Sequence, residues 1–400
     1  MQKLSLEDLD IQGKKILMRV DFNVPLDAQG NITDDSRIVA TLPSIRYVLQ
    51  EGGSLILMSH LGRPKSKKEH HLSLTACAKR LEEFLHLPVT MAPDCIGQDV
   101  EELVNKLKPN QIILLENLRF HPGEEAPKEH PEFVEALAKL GDIYVNDAFG
   151  TAHRFHASTA AIAKFFPENA AAGYLLKKEI QFLGETLKNP LRPFYAVIGG
   201  AKISTKMGAL TALLGKVDVL LIGGAMAYTF FKAQGIDIGD SLYEEDQIDK
   251  ARFLLGESHK RGISLLLPCD TLITESIEKG APTKVVNIHE GIPKGWKGVD
   301  IGPKTLELFT QEIQKAKTVL WNGPLGVFEI KDFATGTLEF AKAMAYLDAI
   351  KIVGGGDSLA AVQAADVAEQ MTHLSTGGGA TLEYIEFGTL PGIDALSLKK

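Results

Sequence analysis

Phe194-Tyr195-Ala196-Val197-Ile198-Gly199-Gly200-Ala201-Lys202-Ile203-Ser204-Thr205-Lys206 is the stretch whose reading decides the fold. A short apolar run without polar alternation reads as a strand buried on both faces, the habit of parallel sheets. A glycine turn follows it and opens a helix, with Lys202 and Lys206 four apart and so expected on one face of that helix. The pattern recurs outward in the second half at Val217–Ile222, Ile263–Leu267, Thr318–Trp321 and Ile350–Val353. The first half carries its counterparts at Lys15–Val20, Ser54–Met58, Gln111–Leu115 and Asp142–Val145. Strands alternating with helices imply right-handed βαβ crossovers, hence an α/β fold of two doubly wound, Rossmann-like parallel sheets.

The length of 400 residues fits two domains, since single cores stop growing below that size. Between the halves, Tyr174–Leu187 has apolar residues at helical spacing and ends before Asn189-Pro190, which stops helices. It reads as an interdomain helix, a connector stiff enough to transmit a hinge rotation. The expected division is residues 1–173, the helix 174–188, residues 189–388, and a final segment 389–400.

Composition narrows the function classes. With 45% hydrophobic and 24% charged residues the chain reads as soluble and globular. The N-terminus is acidic, and no run of about 18 uncharged apolar residues occurs, so neither export nor membrane insertion is expected and the cytoplasm is the expected compartment. Cys77, Cys95 and Cys269 are scattered and odd in number, which suits reduced, mostly buried thiols. A net charge of −8 argues against nucleic acid as a partner, while small anions need only a local cationic cluster. The basic run Arg63–Lys68 reads by itself as a solvated loop.

In open parallel sheets, ligands bind beyond the C-terminal strand ends. In the first half those positions hold Arg19 with Asp21 and Asn23, then Ser59-His60-Leu61-Gly62-Arg63, then Asn117 with Arg119, joined by Arg37 and by His153-Arg154-Phe155-His156. Each arginine alone could pair with a surface acid; gathered at one sheet edge they would form a pocket for phosphate and carboxylate. The three histidines could suggest a metal, but neighbouring arginines would repel a cation. Asp21 and Asn23 read equally as hydroxyl acceptors or as turn and cap residues.

The second half has glycine at its strand ends: Gly199-Gly200, Gly223-Gly224, Gly354-Gly355-Gly356 before Asp357-Ser358, and Gly377-Gly378-Gly379. Glycine lets the backbone approach phosphate oxygens, with helix amides behind it as donors. No G-x-x-x-x-G-K-[ST] loop and no H-R-D with D-F-G set occurs. The absence of a well-placed dinucleotide fingerprint weighs against a nicotinamide dehydrogenase, and a two-lobed anion binder without turnover would not need the glycine-rich half.

Arg19-Val20-Asp21-Phe22-Asn23-Val24-Pro25, Ser59-His60-Leu61-Gly62-Arg63-Pro64, Asn146-Asp147-Ala148-Phe149-Gly150-Thr151-Ala152-His153-Arg154, Gly199-Gly200-Ala201-Lys202, Trp321-Asn322-Gly323-Pro324-Leu325-Gly326-Val327-Phe328-Glu329 and Gly354-Gly355-Gly356-Asp357 resemble the phosphoglycerate kinases in order and spacing. The resemblance covers essentially the whole chain. It implies reversible phosphoryl transfer from 1,3-bisphosphoglycerate to Mg-ADP, giving 3-phosphoglycerate and ATP, by a monomer that needs no membrane. It implies substrate binding by Asp21, Asn23, Arg37, Ser59, His60, Leu61, Gly62, Arg63, Arg119 and Arg154. It implies nucleotide binding by Gly200, Ala201, Lys202, Lys206, Gly223, Gly298, Pro324, Val327, Glu329, Gly354, Gly355, Gly356, Asp357 and Ser358, with Asp357 as the Mg2+ ligand. Arg37, Lys202, Lys206, Gly378 and Gly379 would act on the transferring group, and Pro391–Leu398 would return to the first domain. Ser358 stands where many relatives have threonine, and Phe155 lies between His153-Arg154 and His156; each is expected to alter affinity slightly.

Overall fold

The computed structural model describes residues 2–65 and 69–399; Ser66, Lys67 and Lys68, from the basic run, lie outside the described residues. The chain forms two compact units, one of residues 1–181 with 389–400 and one of residues 182–388.

The first unit is built on six parallel strands, β1 (Lys15–Arg19), β2 (Ser54–Met58), β3 (Val89–Met91), β4 (Ile112–Leu114), β5 (Ile143–Asn146) and β6 (Ala170–Ala172), in the spatial order β3-β4-β2-β1-β5-β6. The apolar runs form strands because both faces are covered, and all five residues of β2 are buried. The chain leaves β1 toward β2 on one side and returns to place β5 on the other. The ends of β1 and β5 therefore flank the switch point where such sheets bind ligands.

The second unit has six parallel strands, β7 (Phe194–Ile198), β8 (Val219–Ile222), β9 (Ser264–Leu266), β13 (Thr318–Asn322), β14 (Ile350–Gly354) and β15 (His373–Ser375), ordered β15-β14-β13-β7-β8-β9. Its switch point lies between β7 and β13, where Ile198 is registered with Asn322. The two parallel sheets match the expected fold class. An added antiparallel sheet of β10 (Asp270–Thr274), β11 (Thr283–Asn287) and β12 (Lys297–Ile301), ordered β11-β10-β12, was not expected from the pattern.

The helix Tyr174–Lys188 is one continuous element whose residues up to Gln181 group with the first unit and from Phe182 onward with the second. The final segment is sewn to the first unit: Leu4 N donates to Ser397 O at 2.9 Å, Ser397 N to Ala170 O at 2.9 Å and Gly392 N to Ala152 O at 2.8 Å.

Candidate functional site

In the first unit, β1 delivers Arg19 into the interior, 1% exposed. Its Nε donates to Ser158 Oγ at 2.8 Å, its Nη1 to Val20 O, and its Nη2 lies 3.0 Å from His60 Nδ1. Arginine has no acceptor, so Nδ1 holds the lone pair and the His60 proton sits on Nε2. Burial, then the positive fields of Arg19, Arg119 and Arg37, press the His60 pKa well below its usual value. His156 falls to about 4 through burial and Arg119, and His153 to about 4 through burial and Arg154. The three rings are thus neutral near pH 7, and the local charge is carried by arginines.

Those arginines are held by short polar contacts. Arg37 Nη1 donates to Asp21 Oδ2 at 2.5 Å, Arg119 Nη1 to Gly62 O at 2.9 Å, and Arg119 Nε pairs with Glu125 Oε1 at 3.1 Å. Burial and the neighbouring Arg19 and Arg63 disfavour the Arg119 charge, so an arriving anion relieves repulsion. Asn23 Oδ1 accepts from Gly62 N at 2.8 Å and Ser59 Oγ from Phe22 N at 2.8 Å, tying the exits of β1 and β2 together. Asp21, Asn23, Arg37, His60, Arg63, Arg119 and Arg154 are brought to one end of the sheet; Leu61 is buried, and Ser59 and Gly62 frame the loop. Arg63 and Arg154 are exposed.

In the second unit a cleft of about 200 Å³ is lined by Gly200, Ala201, Gly224, Ala225, Tyr228, Gly298, Val299, Asp300, Pro324, Leu325, Gly326, Val327, Glu329 and Asp357. The glycine turns serve chiefly to let strand ends meet. Gly199 N donates to Asn322 O, Gly200 N to Pro324 O, Gly223 N to Ile198 O and Gly224 N to Leu325 O. Amides without an intrahelical partner stand in the first turns of the helices Gly356–Ala364 and Gly379–Phe387. Gly356, Gly378 and Gly379 have open space where a Cβ would stand.

Lys202 and Lys206 do not share a helical face, because a 3-10 turn occupies Ser204–Lys206 and the helix Met207–Leu213 begins only after it. Lys202 is exposed on the preceding loop. Lys206 turns inward, its Nζ donating to Asn322 Oδ1 at 2.8 Å and to Asn322 O at 3.1 Å. Burial lowers its pKa to about 8, partly offset by Asp357.

Of the expected nucleotide residues, Gly200, Ala201, Gly298, Pro324, Val327, Glu329 and Asp357 line the cleft. Gly223 packs on Leu325 and Gly354 on Thr381 instead, and Gly355 turns beside Asn322 with φ 94°. Ser358 is buried, its hydroxyl accepting from Gly323 N at 2.5 Å.

A family model described as "Phosphoglycerate kinase" matches residues 6–387. The chain belongs to the phosphoglycerate kinase family. It is similar to the curated "Phosphoglycerate kinase" of Chlorobium limicola, 55% identical over 99% of this chain and 100% of that one. It is also similar to that of Chlorobaculum tepidum, 54% identical with the same coverage. Among solved structures it resembles phosphoglycerate kinase from Coxiella burnetii, with TM-score 0.87 at 39% identity, and that from Pyrococcus horikoshii OT3, with TM-score 0.85 at 31% identity, each over 98% of both chains.

Several cleft residues of this family member escaped the sequence reading. Asp300, at the end of β12, is buried, and burial raises its pKa to about 7 although Gly336 N and Ile301 N donate to its carboxylate. Tyr228 hydroxyl bonds Thr271 Oγ1 at 2.8 Å, and Thr271 Oγ1 donates to Asp300 O at 2.7 Å. Gly298 is required there, since a Cβ would stand 1.7 Å from the Tyr228 hydroxyl. A glycine two residues before a buried Asp was the available signal, but it sits on an antiparallel strand that the parallel strand-end rule does not search.

Proposed function

We propose that the chain is an ATP-dependent phosphotransferase of glycolysis, moving a phosphoryl group between 1,3-bisphosphoglycerate and ADP. The observation that carries this reading is the family match across residues 6–387. In the proposed division of labour, the first unit takes the phosphoglycerate through Asp21, Asn23, Arg37, His60, Arg63, Arg119 and Arg154. The second takes the nucleotide in the cleft walled by Gly200, Ala201, Gly298, Pro324, Val327 and Glu329.

The chemistry explains the residue types. The donor is a mixed anhydride and the nucleophile a phosphate oxygen already ionised near pH 7, so no general base is needed. What remains is to hold two polyanions in line and offset charge on the transferring group. Arg37 and Lys206 supply that positive charge, and the helix-start amides at Gly378 and Gly379 supply donors. Neutral His60, with its proton on Nε2, offers a hydrogen bond without adding a titrating charge.

Asp357 would hold Mg2+. Its carboxylate is exposed in the first turn of a helix and lines the cleft, and one carboxylate plus nucleotide phosphates is a donor set magnesium accepts. The ion would neutralise phosphate charge when bound. Because donor and acceptor would bind different units, the reading includes closure about the helix Tyr174–Lys188, which excludes water from the acyl phosphate. It also takes the working unit as a monomer in the cytoplasm, acting without nucleic acid or membrane.

A coupled assay for ATP formation from 1,3-bisphosphoglycerate and ADP, with and without Mg2+, tests the reading. Turnover that requires magnesium is expected, and its absence under both conditions would refute the assignment.

A further inference from the structure

At the β3 edge of the first sheet, on the same C-terminal end of the strands as the arginine cluster, two strand exits bring three unlike donor atoms together. β3 and β4 are parallel neighbours with Met91 opposite Leu114, so the chain segments leaving their C-terminal ends emerge side by side. Ala92 N donates to Leu114 O at 2.9 Å and Glu116 N to Asp94 O at 3.4 Å, stitching the exits. The first exit carries Asp94 and Cys95, and the second passes through the 3-10 turn Leu118–Phe120 into His121. One ligand atom from each of Asp94, Cys95 and His121 lies within 4.8 Å of the other two.

The cluster is firmly placed. His121 Nε2 is 2.5 Å from Asp94 Oδ1, which also accepts from Cys95 N at 2.7 Å. The His121 ring is stacked on Phe133 with centroids 5.0 Å apart. Cys95 is fully buried, and its thiol points to Glu116 O at 2.9 Å.

We propose that Asp94, Cys95 and His121 form a binding site for a divalent cation of the zinc class, separate from the magnesium of the nucleotide. A thiolate, an imidazole and a carboxylate are the donors that Zn2+ takes and that Mg2+ does not. Ligand atoms at about 2.0–2.3 Å from a tetrahedral zinc stand roughly 3.3–3.8 Å from one another. The three atoms reach that spacing by moves of about an ångström, the cation entering between His121 Nε2 and Asp94 Oδ1 in place of their hydrogen bond.

The charges balance. The cation displaces the Cys95 thiol proton to solvent, the imidazole binds through its neutral nitrogen, and thiolate plus carboxylate cancel the double positive charge. A neutral complex suits a site whose sulfur is out of reach of water. Water takes the fourth position from the side of Asp94 and His121, whose side chains are 33% and 15% exposed. The competing account is a half-buried, hydrogen-bonded Asp94–His121 pair beside a structural cysteine, which predicts no metal–sulfur bond.

Cobalt(II) titration of the reduced, full-length chain in excess Mg2+ separates the two. One Co2+ per chain is expected, with a thiolate-to-cobalt charge-transfer band in the near ultraviolet that added Zn2+ abolishes. Cys95→Ser should lose the band although Cys77 and Cys269 remain, and His121→Gln should weaken binding at least about tenfold. No band in the native chain, a band surviving in Cys95→Ser, or unchanged affinity in His121→Gln overturns the site. If Cys95→Ser does not fold, His121→Gln and Asp94→Asn, altered on the more open side of the cluster, decide by the same titration.

Discussion

Among the described residues the Arg37 side chain, 37% exposed, ion-pairs with one acid, Asp21, so its removal breaks one ion pair whose cation reaches solvent. Such pairs contribute about 0–1 kcal/mol to stability. Arg37→Ala should therefore melt close to the native chain while turnover drops by roughly 10²-fold or more, the scale of losing one donor to developing charge. Steady-state kinetics beside thermal melts check both halves, and near-normal turnover would take Arg37 out of the mechanism. Lys206 offers a test with a sign. Its pKa is lowered to about 8, so the free protein loses this charge as pH rises past that value. Since kcat/KM reports the free enzyme, kcat/KM for nucleotide should fall above about pH 8. Lys206→Arg stays charged and should flatten that limb at a lower overall rate. A limb identical in both proteins would assign it elsewhere.

At the scale of elements, the helix Tyr174–Lys188 starts on a buried carboxylate: Asp147 Oδ1 accepts from Leu175 N at 2.9 Å and Leu176 N at 3.2 Å. Burial raises the Asp147 pKa to about 7 despite those amides and Ser44. The unfolded carboxyl ionises near 3.9. A raised carboxyl pKa means the unfolded chain sheds its proton first, so this group's contribution is full below about pH 4 and shrinks as pH climbs toward 7. Asp147→Asn keeps the acceptor and cannot titrate. Its stability relative to the native chain, from urea denaturation, should improve between pH 5 and pH 8; a constant difference would mean Asp147 does not titrate there. Gly173→Ala should be worse at either pH, by more than about 2 kcal/mol, because a Cβ there would stand 2.2 Å from Asp147 Oδ1. The strands that seat these groups were legible where they are long and apolar, as in β2 and β7, because burial on both faces writes an unbroken run. Three-residue β3, β6 and β15 carry too little pattern, and β6 is all alanine, held by pairing with β5 rather than by propensity. β11 was missed because most of its residues are exposed, so it lacks the apolar run the reading sought. Lys206 went astray for a related reason: four-residue spacing fixes a face only once a helix has begun, and here it begins one residue later.

At the scale of the molecule, the chain's own division states the problem its proposed chemistry must solve. The arginine cluster belongs wholly to the unit of residues 1–181 and 389–400, and the glycine-walled cleft wholly to residues 182–388. In-line transfer needs reacting atoms about 3–3.5 Å apart. No pair of sites on separate bodies can hold that distance while also admitting and releasing ligands, so the proposed reaction demands a change in the relation of the units. Such a change is driven only by ligands that bind one arrangement better than the other. On the proposed division of labour, phosphoglycerate alone or nucleotide alone would satisfy one unit, and only the pair together would favour approach. Small-angle scattering should accordingly give a radius of gyration that moves toward the roughly 21 Å of a single compact body of this length when 3-phosphoglycerate and Mg-nucleotide are both present. Either ligand alone should produce much less of that shift. A radius unchanged by the pair, in protein that turns over normally, would leave closure about Tyr174–Lys188 without support and require the two ligands to meet in one unit.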